Sequence, residues 1–200
     1  MDVRLAERVR PLNDARREGR GEFVLWWAAT ALRVDENPAL EVAIAEANAR
    51  RIPVVVYQDL TWRARWATDR RFRFVLEGVP GFARDVAARG VAHLFRLERG
   101  PGDPSGTLLE LARRTDLVVT EDLPTGGFAR RRARLAEEAG VPVVAVDAAC
   151  VLPMRLVGRA HERAFAFRAA TETERLARLD APLPRIDPVV PAWDGDPGFA

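Results

Sequence analysis

The chain alternates short apolar runs with longer segments in which apolar residues recur every three to four positions. The first run, 23–27, reads FVLWW and has no polar residue, as expected for a parallel strand covered on both faces. Five such runs predict strands at 23–27, 53–57, 91–97, 117–120 and 142–146. The helical spacing between them predicts helices at 38–50, 69–89, 107–114 and 127–139.

Five strands alternating with four helices are complete by residue 147. Because crossovers between parallel strands are right-handed, this alternation predicts a doubly wound, Rossmann-like α/β sheet. We expect the strand order 3-2-1-4-5, the commonest half-Rossmann arrangement. The winding then reverses between strands one and four, beside residues 28–33 and 121–125, where such folds bind ligands.

The two ends of the chain have a different composition. Residues 1–22 are polar and Arg-rich and predict a leader arm, either ordered or frayed. After the α/β domain at 23–147, residues 148–180 predict a helical extension, with one helix near 159–179. Residues 181–200 are Pro-rich without periodicity, which is typical of a linker.

The composition is that of a globular domain, with 48% hydrophobic and 30% charged residues. No apolar run is long enough to cross a bilayer and the start lacks a signal-peptide core, so we expect a cytoplasmic protein without membrane contact. All 31 basic residues are Arg, which we attribute to the codon bias of a high-GC genome. The net charge is only +2, and the pI near 9.4 is weak evidence for a nucleic-acid surface. A single Cys150 excludes an intramolecular disulfide and a Cys-cluster zinc site.

The segment after the first strand carries the most specific pattern. Asn37 is a good helix N-cap, and Pro38 follows where a missing N–H costs nothing. Residues 32–40 read LRVDENPAL, which resembles the LR-x-x-D-N-x-A-L signature of the DNA photolyase/cryptochrome family.

Further motifs extend this resemblance over residues 8–180. RVRPLN before the first strand resembles the leader of class II photolyases, and FVLEGV resembles the F-x-L-E-G-L of the family's second helix. VVTEDLP resembles the fourth strand and its loop, and VDAACVLP resembles the V-D-x-x-x-x-V-P that follows the fifth strand. Each motif is weak alone, but their order and separations are specific together.

The resemblance implies the amino-terminal antenna-pigment-binding α/β domain of a deoxyribodipyrimidine photolyase-like DNA repair protein. In this family that domain holds a folate or a deazaflavin as antenna chromophore, and a carboxy-terminal helical domain binds FAD and UV-damaged DNA. We expect residues 181–200 to lead to that FAD domain, which these 200 residues lack, so that they alone are not catalytic. One alternative is a stand-alone nucleotide- or pigment-binding α/β module without repair activity. Another is a folded remnant that binds nothing, because loop 28–31 is chemically bland.

Several candidate cofactor-binding residues follow the strands, and each also has an ordinary structural explanation. Arg33 could face a ligand or a domain interface, or it could pair with Asp35 or Glu36. Glu121 and Asp122 could hydrogen-bond a heterocycle or ribose, or form a solvated edge that caps the next helix. Trp62 and Trp66, with interleaved Arg residues, could stack a pigment or cover the top of the sheet.

The candidate set also includes Thr30 and Asp59, in the loops after the first two strands, and Thr125 in the turn 124–127, which could present backbone N–H groups to an anion. That turn lacks the Lys of a phosphate loop, so a turn without ligand is the competing explanation. Trp26 and Trp27 are predicted core residues on opposite faces of the first strand. We predict no catalytic residue and no metal site, and a solvated basic face for the Arg residues at 130–134.

Overall fold

The computed structural model describes residues 1–16, 21–64, 67–103, 106–123 and 126–199. Its strands are β1 Val9–Pro11, β2 Phe23–Trp27, β3 Val54–Thr61, β4 Ala92–Glu98, β5 Thr115–Glu121 and β6 Val143–Val146. Its helices are α1 Val3–Ala6, α2 Pro38–Arg50, α3 Asp69–Ala88, α4 Thr107–Arg114, α5 Gly126–Glu138, α6 Met154–Val157 and α7 Ala164–Leu179.

The strands form one sheet in the order β1-β6-β5-β2-β3-β4. The five predicted strands, β2 to β6, are parallel and lie in the predicted order, so the doubly wound α/β class is confirmed. The predicted strand number was wrong by one. Strand β1, from the leader arm, pairs antiparallel with β6, where Val9 lies opposite Val146.

Some element boundaries differ from the predictions because strands continue where a neighbour offers hydrogen bonds. Strand β3 runs on to Thr61, paired with Glu98 of β4, so Asp59 lies in a strand and not in a loop. Strand β5 extends to Glu121 beside β6. Helix α3 continues through Pro80 without a break. The predicted late helix is α7, which begins at Ala164.

Helices cover the sheet on both faces, which explains why its central strands are apolar throughout. On one face α2 and α3 pack over Val24 and Trp26 of β2, and this side is called the α2 face. On the other face α4 and α5 pack over Leu25 and Trp27, and this side is called the α5 face. The prediction that Trp26 and Trp27 are core residues on opposite faces is confirmed.

The leader arm is ordered at its start. Leu5 of α1 is fully buried in the core of the α2 face. The guanidinium of Arg8 is buried and donates to the backbone carbonyls of Asp147, Cys150 and Val151. These bonds attach the beginning of the chain to the segment that follows β6.

The Pro-rich tail has no helix or strand in its described part, 181–199, and it lies against the domain. Its backbone N–H groups at Ile186 and Val189 donate to the side chains of Glu41 and Asn48 on α2. Farther along, the Trp193 ring packs edge-on against Phe23 at a centroid distance of 5.3 Å. The tail therefore contacts both faces of the sheet.

Among the helices of the described ranges, none combines the length and the apolar character needed to cross a membrane.

Candidate ligand-binding cleft

A cleft of about 1010 Å³ opens on the α5 face, above the carboxyl halves of β2, β3 and β4. The cleft lies between the beginning of α4 at Thr107 and the half-buried Phe128 of α5. Its floor includes Tyr57 and Arg96, and loop residues Ala29 and Thr30 lie at the end of β2. Parallel strands place their loops at one edge, which is where α/β folds bind ligands.

Asp59 is the central acidic group of the cleft. The Trp27 indole Nε1 donates to its carboxylate at 3.2 Å, and Arg131 of α5 forms an ion pair with it. The Arg131 guanidinium also lies over the Trp27 ring, 4.8 Å from the ring centroid. This stack connects α5 to β3 and covers the indole, so Trp27 is buried beneath the cleft and not exposed within it.

A second ion pair lies at the edge of the cleft. The Arg63 Nε donates to Glu98 Oε1 at 2.7 Å, and the Thr61 hydroxyl hydrogen-bonds the same carboxylate. Arg63 also lies over the Trp62 ring, at 5.4 Å from the centroid. The carboxylates of Asp59 and Glu98 are therefore each paired with an arginine.

Tyr57 lies beneath the cleft, where only 2% of the residue is exposed and the Phe199 ring packs edge-on against it at a centroid distance of 6.2 Å. Burial raises the pKa of its phenol above the ordinary value, and a hydrogen bond with Thr107 at the beginning of α4 opposes the shift weakly. The phenol is therefore neutral at physiological pH and adds no charge beneath the cleft.

Hydrogen bonds from the side chain of Asn37 fix the conformation of loop 28–36. The Asn37 Oδ1 accepts from the N–H groups of Ala39 and Leu40, as the N-cap prediction requires, and its Nδ2 donates to the carbonyls of Ala31 and Arg33. One buried amide thus fixes both the start of α2 and the loop at the end of β2.

Arg33 points away from the cleft. Its guanidinium donates to the backbone carbonyls of Glu36, at 3.0 Å, and Ala148, at 2.9 Å. Neither predicted carboxylate pairing is present, because Arg33 instead joins the loop to the segment after β6.

Glu121 lies beneath loop 28–31, and the solvated edge predicted for it was wrong. Only 2% of the residue is exposed, and its carboxylate accepts from Trp26 Nε1 at 3.3 Å and from the Ala29 N–H at 3.1 Å. Burial raises the pKa of this carboxyl to about 7, although these hydrogen bonds favour the ionised form.

Asp122 turns away from Glu121, as neighbouring residues at a strand end should. It accepts two hydrogen bonds from Arg10 of β1 and forms a 2.9 Å ion pair with Arg132 of α5. It therefore connects the edge strand to α5 and does not line the cleft.

The candidate residues are thus distributed over several places. Thr30 and Asp59 line the cleft, whereas Arg33, Glu121 and Asp122 support the structure around it. Trp62 is 38% exposed and is not among the lining residues. Trp66 and Thr125 lie outside the described residues.

Most of the cleft lining was not in the candidate set. The predicted solvated face of α5 supplies Arg130, Arg131 and Arg134, and Phe128 precedes them. Their signal was present in the run of arginines, but only the position of α5 beside the strand ends shows which side they face. Other elements also contribute lining residues to the cleft, among them Arg63, Arg71, Arg96 and Thr107.

Groups that could ligate metals are dispersed. Within the described ranges no cluster of three His, Cys, Asp or Glu side chains could hold a metal ion. His93 hydrogen-bonds Gln58 at 3.2 Å and packs edge-on against Phe82, and burial lowers its pKa to about 4. His93 is therefore a hydrogen-bonded histidine packed against an aromatic ring.

Fold and cleft define a Rossmann-like α/β domain with a ligand-sized cavity at the carboxyl edge of its sheet. The family model for DNA photolyase matches residues 24–188. The chain therefore belongs to the DNA photolyase family and corresponds to its amino-terminal α/β domain.

A deoxyribodipyrimidine photo-lyase of Methanothermobacter thermautotrophicus is 28% identical over 196 residues, which cover 96% of this chain. The match covers 42% of that relative's length. Among solved structures, a universal stress protein from Archaeoglobus fulgidus is similar with a TM-score of 0.40 and 18% identity, covering 64% of this chain and 96% of that chain. The same relative in complex with dAMP has a TM-score of 0.40 and 19% identity, covering 64% and 99%. The likeness to these structures concerns the fold only.

Proposed function

We propose that this chain is the antenna-pigment-binding domain of a light-driven DNA photolyase, and that it acts with a carboxy-terminal domain that binds FAD and UV-damaged DNA. The cleft above β2, β3 and β4 supports this proposal most directly. Its volume of about 1010 Å³ matches that of small-molecule sites, which are concave and lined by apolar groups with a few polar ones.

The lining fits a flat heterocycle such as a folate or a deazaflavin. Phe128 offers aromatic surface, and the exposed Thr30 offers a hydroxyl group to a ring heteroatom. A bound antenna pigment supplies light absorption and energy transfer to the flavin. The residues of this domain would bind the ring, fix its orientation and exclude water from it.

Uptake of a pigment by the purified chain tests the proposal. We expect a folate or a deazaflavin to bind with a shifted absorption band and quenched tryptophan fluorescence. Thr30→Trp places an indole at the cleft and should abolish uptake. Leu32→Trp is a matched control in the same loop, because Leu32 is 39% exposed and does not line the cleft.

Equal uptake by Thr30→Trp and the wild type would contradict the assignment of this cleft. Tight binding of ATP without uptake of either pigment would favour the stand-alone nucleotide-binding module instead.

A further inference from the structure

The Pro-rich tail reaches the cleft along the α5 face. The Trp193 ring packs against Phe23, the first residue of β2, at a centroid distance of 5.3 Å. Farther along the tail, the Phe199 ring packs edge-on against Tyr57 at 6.2 Å. Because Tyr57 pairs with Trp27, the last residue of β2, the tail runs along the strands from their amino ends towards the cleft.

The lower part of this segment is anchored outside the cleft. The Arg114 guanidinium at the end of α4 lies over the Trp193 ring, 5.4 Å from its centroid. The same guanidinium donates to the backbone carbonyl of Asp196 at 2.9 Å. These contacts hold the tail on the sheet without Phe199, so the Phe199 ring can leave its position while Trp193 stays docked.

Phe199 itself packs against two residues of the cleft lining. Its ring lies against the Tyr57 phenol and below the Arg96 guanidinium, which is 5.8 Å from the ring centroid. Tyr57 and Arg96 both line the cleft. Tyr57 is nevertheless only 2% exposed, because Phe199 covers its ring.

The position of Phe199 suits any aromatic ring. Aromatic pairs favour edge-on contacts, and a guanidinium is attracted to the face of a ring. Neither contact requires a phenylalanine of this chain, so the ring of a bound pigment can form both. Because two rings cannot occupy the same space, the chain's own ring and a ligand ring exclude each other there.

We propose that Phe199 is an autoinhibitory contact, whose ring closes the cleft at Tyr57 and Arg96 and is displaced when a ligand ring binds there. This inference rests on the proposed function and adds how access to that site is regulated. The cleft exists in a closed form, with Phe199 docked, and an open form that binds the ligand. The apparent affinity is then the affinity of the open form reduced by the fraction of the chain that is open.

Removal of the ring tests this competition. In titrations of the full chain with a folate and with a deazaflavin, Phe199→Ala should bind at least one of them about tenfold tighter than the wild type, as the loss of one competing aromatic contact allows. Phe199→Trp keeps a ring at this position and should not tighten binding. Val189→Ala is the matched control, because Val189 lies in the same tail and is 66% exposed. Circular dichroism checks that the variants are folded.

Tyr57 reports the closed form without any pigment. It is the one tyrosine of the chain, so nitration by tetranitromethane produces a single nitrotyrosine, which absorbance detects. In the absence of pigment, nitration should be several-fold faster in Phe199→Ala than in the wild type, because the ring that covers the phenol is gone. Val189→Ala should be nitrated at the wild-type rate.

The outcomes separate this inference from the proposed function. Tighter uptake together with faster nitration in Phe199→Ala supports the autoinhibitory contact. Equal or weaker uptake by Phe199→Ala would overturn it while the pigment site stands, because Phe199 would then be a wall of the site and not a competitor. Equal nitration would overturn it as well, since Phe199 would not cover the phenol. If neither the wild type nor Phe199→Ala takes up a pigment, the proposed function is wrong and the autoinhibitory contact with it.

Discussion

Glu121 couples the stability of the domain to pH. With its pKa raised from 4.5 to about 7, the folded chain holds a proton in a range where the unfolded chain has released it. Stability from this group is complete below pH 4.5 and is lost as the pH rises to about 7. The loss is about 3 kcal/mol, from the size of the shift.

Glu121→Gln should remove this dependence. Urea unfolding at several pH values gives the unfolding free energy of the wild type and of the variant. The wild-type value minus the variant value should decrease as the pH rises from 4.5 to 7 and stay constant above pH 7. His93 has the opposite dependence, because its pKa is lowered to about 4, but both proteins contain it and its effect cancels. Parallel curves for the two proteins would show that Glu121 titrates normally.

Asn37 performs two tasks that substitutions can separate. Asn37→Ala removes the cap of α2 and two hydrogen bonds to loop carbonyls, and should lower the free energy of unfolding by roughly 2–3 kcal/mol. Asn37→Asp keeps the cap acceptor but cannot donate to Ala31 and Arg33. In hydrogen exchange we expect the Asn37→Asp variant to keep the amides in the first turn of α2 protected, while the amides of loop 28–36 exchange faster than in the wild type. Equal exchange of helix and loop in both variants would contradict this division.

At the scale of elements, the tail stabilises the domain through a few anchors. The Trp193 ring packs against Phe23 and lies under the Arg114 guanidinium, 5.4 Å from its centroid. Trp193→Ala should therefore destabilise the chain by about 1–2 kcal/mol and expose residues after 186 to protease. Phe165→Ala on α7 is the control, since Phe165 is 68% exposed and should change stability by less than about 0.5 kcal/mol. If the tail is cleaved equally fast in wild type and variant, Trp193 is not an anchor.

The sequence predicted those helices and strands whose own residues show the apolar pattern that burial requires. Strand β2 is apolar throughout, and α4 was predicted with the bounds that the structure shows. Strand β1 was missed because Val9, Arg10 and Pro11 form no apolar run, and their pairing depends on the distant edge of β6. The tail lacks periodicity, so its contacts with both faces of the sheet had no signal in the pattern.

The candidate site was predicted less completely, for the same reason. Topology placed the strand ends at one edge, and Thr30 and Asp59 were found in this way. Whether Glu121 is solvated or buried depends on how loop 28–31 folds over it, and sequence spacing does not contain that information. Likewise, only the placement of α5 shows that Arg130 lines a cleft while Arg132 is buried against the carbonyl of Glu121.

At the scale of the whole molecule, Arg8 joins the first strand of the sheet to the segment after the last one. Arg8→Met removes hydrogen bonds to three backbone carbonyls at 147, 150 and 151, and should cost about 3 kcal/mol in unfolding free energy. Arg10→Met is a matched control two residues away, because Arg10 is exposed and forms a surface pair with Asp122, worth about 1 kcal/mol or less.

The two variants also differ in what they expose. Without Arg8 we expect β1 to separate from β6, leaving the apolar edge Val143–Val146 unpaired, and unpaired edges associate with other chains. Light scattering during size-exclusion chromatography should detect oligomers of Arg8→Met and not of Arg10→Met. Equal stability and equal mass for the two variants would mean that β1 is held by its backbone pairing alone. In that case the leader arm would be a separable edge and not part of the cooperative fold.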